Sequence, residues 1–252
     1  MLRAGRDGFA RRLQIHADMA VNPYVQVRNR PAPQLLAVNP PIDDARLRLL
    51  NVSVAALGIV ITAPLMLLIA IAVKLTSRGP VIYKQTRVGV DRRGGRGSEH
   101  AARRTNDVGG KPFTMFKFRT MRSDWGTSQV WARPDDDRVT PVGKILRRYR
   151  LDELPQLFNV LSGAMNVVGP RPEQPDLFAQ LRTEIDKYPA RQGVPPGITG
   201  WAQINLAYDS SVDDVRKKLD YDLEYIGRRS PLEDLRIMAR TLPVMLGKRG
   251  SL

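Results

Sequence analysis

The stretch "LLNVSVAALGIVITAPLMLLIAIAV", Leu49 to Val73, carries no charged residue, and its reading decides the fold. A helix crosses the hydrocarbon core of a bilayer with roughly 20 consecutive apolar residues. This run is long enough, and a buried helix of a soluble domain seldom stays uncharged for so long. Pro64 sits near its middle, lacks a backbone N–H and clashes with the carbonyl of Val60, which predicts a kink. Arg46 and Arg48 precede the run, and Lys74 and Arg78 follow it. Under the positive-inside rule both ends then prefer the cytoplasm. A helix broken at Pro64 that enters and leaves the same leaflet satisfies both flanks. The alternative is an ordinary spanning helix with a tolerated proline.

Around this segment the chain is strongly basic, with a formal charge of +15 over 252 residues. Such a charge calls for an anionic partner: lipid headgroups, a phosphorylated substrate or nucleic acid. The absence of cysteine excludes disulfides, thiolate zinc sites and cysteine nucleophiles, and fits a reducing cytoplasm. With two histidines, His16 and His100, a histidine metal cluster is also excluded. Any chemistry must use carboxylates, lysines, arginines or hydroxyls. Residues 1–44 are Pro- and Arg-rich without periodicity and read as a flexible tail with no secretory signal.

Beyond the apolar segment, "GPVIYKQTRVG" and "KPFTMFKFRTM" read as two strands. The Gly- and Arg-rich stretch between them, roughly residues 90–110, reads as a basic loop suited to lipid headgroups. "VGKILRRYRL" is a basic amphipathic helix, with Val142, Ile145, Leu146 and Tyr149 on one side. That pattern fits a membrane interface and equally a helix packed on the protein's own core. Three further helices are expected: one carrying Leu177, Leu181 and Ile185, one after the serines of "SSVDD", and one opened by Ser230, Pro231 and Glu233 as a capping box. The fold class is therefore helix-rich α/β, docked on a membrane through interfacial amphipathic helices.

The segment with most chemical potential is "RRYRLDELPQLFNVL", residues 147–161. Acids in a first helical turn, with Pro155 beside them, ordinarily complement the helix dipole. Here Asp152 and Glu153 follow Arg147, Arg148 and Arg150, which would hold an aspartate ionised. An ionised aspartate is a nucleophile towards phosphorus. Adjacent helical residues point about 100° apart, so the two acids do different jobs. Downstream, "MNVVGPRPE" frames Arg171 between two prolines, and a rigid arginine grips phosphate with a bidentate fork. A structural salt bridge is the other use of that arginine.

"KFRTM", "LDELPQLFNVLSGAMNVVGPRPE" and "PGITGWAQIN", in this order after a proline-broken apolar segment, closely resemble the bacterial sugar transferase family, the monotopic polyprenyl-phosphate phosphoglycosyl transferases. The similarity runs from about Arg46 to the C-terminal helix. It implies a re-entrant membrane helix over residues 45–78, broken at Pro64, and a cytoplasmic catalytic domain over 79–252 on the bacterial inner membrane. It also implies Mg²⁺-dependent transfer of a sugar-1-phosphate from a nucleoside-diphosphate sugar, usually a UDP-sugar, to polyprenyl (undecaprenyl) phosphate, with UMP released. The product would start a surface polysaccharide such as an exopolysaccharide.

Carried over by motif, Asp152 is the nucleophile and a Mg²⁺ ligand, and Glu153 handles metal or protons. Lys117 and Arg119 of "KFRTM" and Arg171 of "GPRPE" are the phosphate-binding cations. Asp222 and Asp234 match acids of the C-terminal motif. Partners implied are the donor, the lipid acceptor, anionic headgroups, downstream glycosyltransferases and a second copy of the chain.

The sequence departs from the family pattern at Ala63, where serine is usual before the proline, and at Ala164. Arg150 replaces a usual serine or threonine, and "LAYDSSVDD" follows "WAQIN". Two other classes compete. A nucleic-acid-binding protein would explain the charge, but the basic residues are spread along the chain without a recognised motif. An inactive membrane scaffold of a glycan-assembly complex would keep the fold without the chemistry.

Overall fold

The computed structural model describes residues 44–91, 110–122, 136–206 and 212–246. The N-terminal tail and most of the basic 90–110 loop lie outside the described residues.

Helix α1, Asp44–Thr76, contains the whole apolar run and is helical without interruption across Pro64. The expected break is therefore not a break in helical structure. One proline deletes a single hydrogen bond of a long ladder, which a helix accommodates as a local bend. The Thr62 hydroxyl donates to Gly58 O one turn back at 2.6 Å, a bond that itself favours bending.

The helix is long and apolar enough to cross a membrane, and only 11% of its most apolar window is buried. Its ends behave differently from its middle. Leu47, Asn51 and Ala55 are buried at one-turn spacing near the start, and Ile69 and Val73 near the finish. Between them Leu57, Val60, Ile61, Leu67 and Leu68 are all more than 60% exposed.

Strand β1 (Ile82–Val88) pairs antiparallel with β2 (Pro112–Phe118), Tyr83 opposite Lys117. These are the two strands the β-branched and aromatic runs announce. A second two-stranded sheet is parallel, β3 (Asn166–Val168) with β4 (Gly197–Thr199). A Cβ on Gly197 would meet Gly169 N at 2.1 Å, so the strands' close approach requires glycine there.

Around the sheets lie α2 (Pro141–Arg148), α3 (Gln156–Leu161), α4 (Pro175–Glu184), the short α5 (Trp201–Asn205), α6 (Val212–Arg228) and α7 (Pro231–Leu246). Helix α2 starts where Thr140 accepts from Gly143 N at 2.9 Å. It packs so closely on the chain after β2 that a Gly143 Cβ would lie 2.1 Å from Thr120 O. Its Leu146 is buried with Phe118, Ile69 and Val73, while Ile145 is 58% and Tyr149 42% exposed. The core-packed reading of this helix thus holds along one edge, and the other edge faces outward.

At α7 the Ser230 hydroxyl accepts from Glu233 N at 3.2 Å, half of the expected capping box. The Glu233 carboxylate pairs instead with Arg228 and Arg236, at 3.2 and 2.9 Å.

The main core gathers Ala55 of α1, Met115 of β2, Val160 of α3, Met165, Val167 and Val168 around β3, Trp201, Tyr225 and Ile237. The start of the membrane helix is thus built into the domain. Arg48 donates to Val160 O and Leu161 O at 2.6 Å each, closing the C-terminal end of α3. Asn51 accepts from Val167 N at 2.6 Å.

Candidate active site

Three segments converge on the acidic pair. After α2 the chain turns at Arg150, which takes a left-handed conformation (φ 54°, ψ 21°). A non-glycine residue adopts this only when its surroundings impose it. The turn delivers a single 3₁₀ turn, Leu151–Glu153, that carries both acids. Three residues per turn separates adjacent side chains by about 120°, and the two carboxylates accordingly meet different surroundings.

Glu153 points into a cationic clamp. Lys117 Nζ of β2 lies 2.8 Å from its Oε1, and Arg171 Nη2 of the loop after β3 lies 3.2 Å from the same oxygen. Burial pushes this carboxyl up, but Lys117 and then Arg171 more than reverse it, holding it well below the ordinary carboxylate range. A carboxylate held this way is a fixed anion. Of metal and proton handling, the two roles the family resemblance implies for Glu153, a fixed anion does not suit the second.

Asp152 is also buried, yet makes no side-chain hydrogen bond or ion pair among the described residues. Burial raises its carboxyl above the ordinary value, opposed chiefly by Lys117 and further by Arg147 and Arg171. The arginines expected to hold it ionised are opposed by burial, and losing water outweighs the nearby positive charge.

The frame around the pair is polar and long-range. Asn159 of α3 accepts from Phe116 N at 3.0 Å and donates to Thr114 O at 2.7 Å, fastening the acids' helix to the strand of Lys117. Arg191, 2% exposed, holds the Arg171 loop from behind. Its guanidinium donates to Tyr188 Oη (2.6 Å), Asp222 Oδ2 (2.8 Å), Arg171 O (3.0 Å) and Glu173 Oε1 (3.2 Å). Neither Asn159 nor Arg191 stood out in the sequence. A lone asparagine within "LFNVL" was the only local hint.

Of the residues expected at the site, Asp152, Glu153, Lys117 and Arg171 come together. Arg119 does not. It is buried against the end of α1, where its guanidinium donates to Ser77 O and Arg78 O at 2.7 Å each. These carbonyls lie just past the helix, and Arg119 Nη2 also reaches Val73 O of its last turn at 3.5 Å, where carbonyls lack intrahelical partners. Asp222 reaches the site only through Arg191. Asp234 lies elsewhere, fully buried at the start of α7, accepting from Tyr225 Oη at 2.7 Å. Burial lifts its carboxyl to about 6, although the Tyr225 bond and Arg229 pull it down.

No cluster of three or more metal-ligating side chains exists among the described residues. The donor chemistry still fits Mg²⁺, which keeps several waters and takes one or two carboxylates together with substrate phosphates. Asp152 is the carboxylate available for that use.

The family model described as "Bacterial sugar transferase" matches residues 43–248, and so includes the helix, the acidic turn and the cationic loop. The chain belongs to the bacterial sugar transferase family. Among curated members of this family, a UDP-glucose:undecaprenyl-phosphate glucose-1-phosphate transferase of Caulobacter vibrioides is 40% identical over 226 residues, 86% of this chain and 78% of that protein. A namesake from Xanthomonas campestris pv. campestris is 42% identical over 190 residues, 74% of this chain but 36% of its own length. A UDP-N-acetylgalactosamine-undecaprenyl-phosphate N-acetylgalactosaminephosphotransferase of Aeromonas hydrophila is 39% identical over 199 residues, 78% of this chain and 43% of its own. This sugar transferase chain thus spans less than half the length of two of those three relatives.

Proposed function

We propose that the chain transfers a sugar-1-phosphate from a UDP-sugar to undecaprenyl phosphate through a phosphosugar bound covalently to Asp152. In the first step an Asp152 oxygen attacks the donor's β-phosphorus. A P–O bond to Asp152 forms, the bond to the bridging oxygen breaks, and UMP leaves with that oxygen. In the second, a phosphate oxygen of the lipid attacks the same phosphorus and expels the Asp152 carboxylate. Lys117 and Arg171 bear on the phosphoryl oxygens, where charge accumulates and fixed cations act most strongly. Glu153 keeps the two cations in register. Mg²⁺, which Asp152 would hold with the donor phosphates, supplies further charge neutralisation between nucleophile and diphosphate.

The observation that carries this reading is the contrast within the pair. Glu153 is locked between Lys117 and Arg171, while the adjacent buried Asp152 makes no side-chain bond among the described residues. The names of the relatives, each a transferase onto undecaprenyl phosphate, support the donor and acceptor classes.

The contacts of α1 support a monotopic placement, and the basic residues flanking it support the cytoplasmic face. Near its start Arg48 and Asn51 bond to α3 and β3, and just past its finish Ser77 and Arg78 bond to Arg119 of the same domain. A straight helix of 33 residues spans roughly 50 Å, more than the hydrocarbon core. Crossing it would leave one end away from the domain, so we place both ends on one side and the exposed middle in the lipid.

The test is nucleotide release from a panel of UDP-sugars by protein in nanodiscs with Mg²⁺ and polyprenyl phosphate. UMP from one sugar is expected. Release of UDP would indicate transfer of the sugar without its phosphate, and no nucleotide from any donor would leave an inactive scaffold.

A further inference from the structure

Beside the acidic turn, the outer edge of β1 carries backbone groups that the fold leaves open. Val88 N donates to Glu173 O at 2.9 Å, and Gly89 N to Lys111 O at 3.0 Å. Alternate residues of a strand turn their N–H and C=O to opposite edges. Tyr83, Gln85 and Arg87 therefore face β2, and Lys84 and Thr86 face away from it. No hydrogen bond from the outward groups of Lys84 or Thr86 is made among the described residues. They open on a cleft of about 290 Å³, closed on the far side by Gln174, Pro175 and Asp176 and lined also by Tyr83 and Gln85.

A row of cations joins this cleft to the acids. The Arg87 guanidinium donates to Pro172 O at 3.0 Å and to Gln85 Oε1 at 2.6 Å. It lies close to the Glu173 carboxylate and, next, to the Arg171 guanidinium. Arg87 thus bonds the cleft residue Gln85, while Arg171 and Lys117 hold Glu153 beside Asp152.

Resting on the transferase reading, we propose that this cleft is the nucleoside subsite: the donor's uridine lies between the outer edge of β1 and the start of α4, with its diphosphate drawn over Arg87 and Arg171 towards Asp152. The chemistry matches at each point. Uracil presents a carbonyl oxygen beside an N–H on one edge, the complement of the N–H and C=O that a single strand residue offers. Gln174 and Asp176 supply side-chain partners for ribose hydroxyls. The volume is at the lower end of the range for ligand pockets, suited to a nucleoside and too small for the whole sugar nucleotide. The polarity is then fixed: the α-phosphate leaves over Arg87 and the sugar lies on the other side of Asp152.

The experiment is calorimetric titration of UMP and N3-methyl-UMP into the full chain in nanodiscs with Mg²⁺, in wild type, Thr86→Trp and Asp176→Asn. Thr86 and Asp176 are exposed, so neither substitution disturbs the core. UMP is expected to bind about tenfold more tightly than N3-methyl-UMP, which lacks the N3–H and has no other donor on that edge, as one hydrogen bond allows. Thr86→Trp should weaken UMP at least tenfold, and Asp176→Asn severalfold. In turnover both should raise KM for the UDP-sugar and leave KM for polyprenyl phosphate unchanged.

Wild-type affinity for UMP in Thr86→Trp, or equal binding of UMP and N3-methyl-UMP, overturns the subsite while UMP release from a UDP-sugar keeps the transferase reading intact. Failure of wild type both to bind UMP and to release it overturns the two together.

Discussion

Replacing Arg191 by methionine tests the buried network behind the Arg171 loop. The guanidinium makes four hydrogen bonds between 2.6 and 3.2 Å, two of them to carboxylates. The Asp222 and Glu173 side chains are 3% and 11% exposed. Without Arg191, Glu173 keeps Lys218 at 3.7 Å, while Asp222 is left without a described ion-pair partner. Removing one member of a buried pair costs ~3–5 kcal/mol, mostly because the remaining charge stays dry. For a domain of this size that lowers Tm by on the order of 10 °C.

Because the loss comes from stranded charge, further substitutions should repair it. Adding Asp222→Asn and Glu173→Gln to Arg191→Met should recover at least half of the lost stability, against the usual accumulation of damage. Thermal unfolding of the three forms in nanodiscs, followed by tryptophan fluorescence, reads this directly. A triple variant less stable than Arg191→Met would refute the reasoning.

Three further outcomes are expected. Asn51→Leu should destabilise the protein by ~1–3 kcal/mol, since it strands the buried Val167 N–H, and equal chemical denaturation of variant and wild type would contradict the docking of α1. Asp234, lifted from 3.8 to about 6, holds its proton more tightly folded than unfolded. Its stabilisation is full below about pH 4 and fades through about pH 6, a loss of about 2–3 kcal/mol. Asp234→Asn should flatten that part of the stability–pH curve, and an unchanged curve would count against a protonated Asp234.

Finally, single-turnover UMP formation should rise with pH as Asp152 ionises, with its acid limb above the ordinary aspartate value. Lys117→Met, which removes the strongest charge opposing the rise, should move that limb higher. A downward move would contradict the electrostatic account.

Much of the architecture was legible because it rests on local signals. Alternating β-branched and aromatic residues mark β1 and β2, Ser230 and Pro231 mark the start of α7, and adjacent acids before Pro155 mark the turn that carries Asp152. What sequence could not supply is the direction of long-range polar contacts. Arg119 lies two residues from Lys117 but past the end of β2, and its guanidinium goes to Ser77 O and Arg78 O. Arg191 and Asp222 are 31 residues apart, with no period linking them. At Pro64 the helical structure continues, because a long ladder absorbs one missing bond. The sign of the Asp152 shift likewise depends on burial, which neighbouring arginines in the sequence do not reveal.

The central claim is that Asp152 carries the sugar phosphate. Intact-protein mass spectrometry after incubation with Mg²⁺ and the preferred UDP-sugar, without polyprenyl phosphate, tests it most directly. The account predicts a gain of one sugar phosphate per chain, discharged on adding the lipid phosphate and absent from Asp152→Asn. An active enzyme that gains no mass, or an Asp152→Asn variant that still gains it, would contradict the covalent route through this residue.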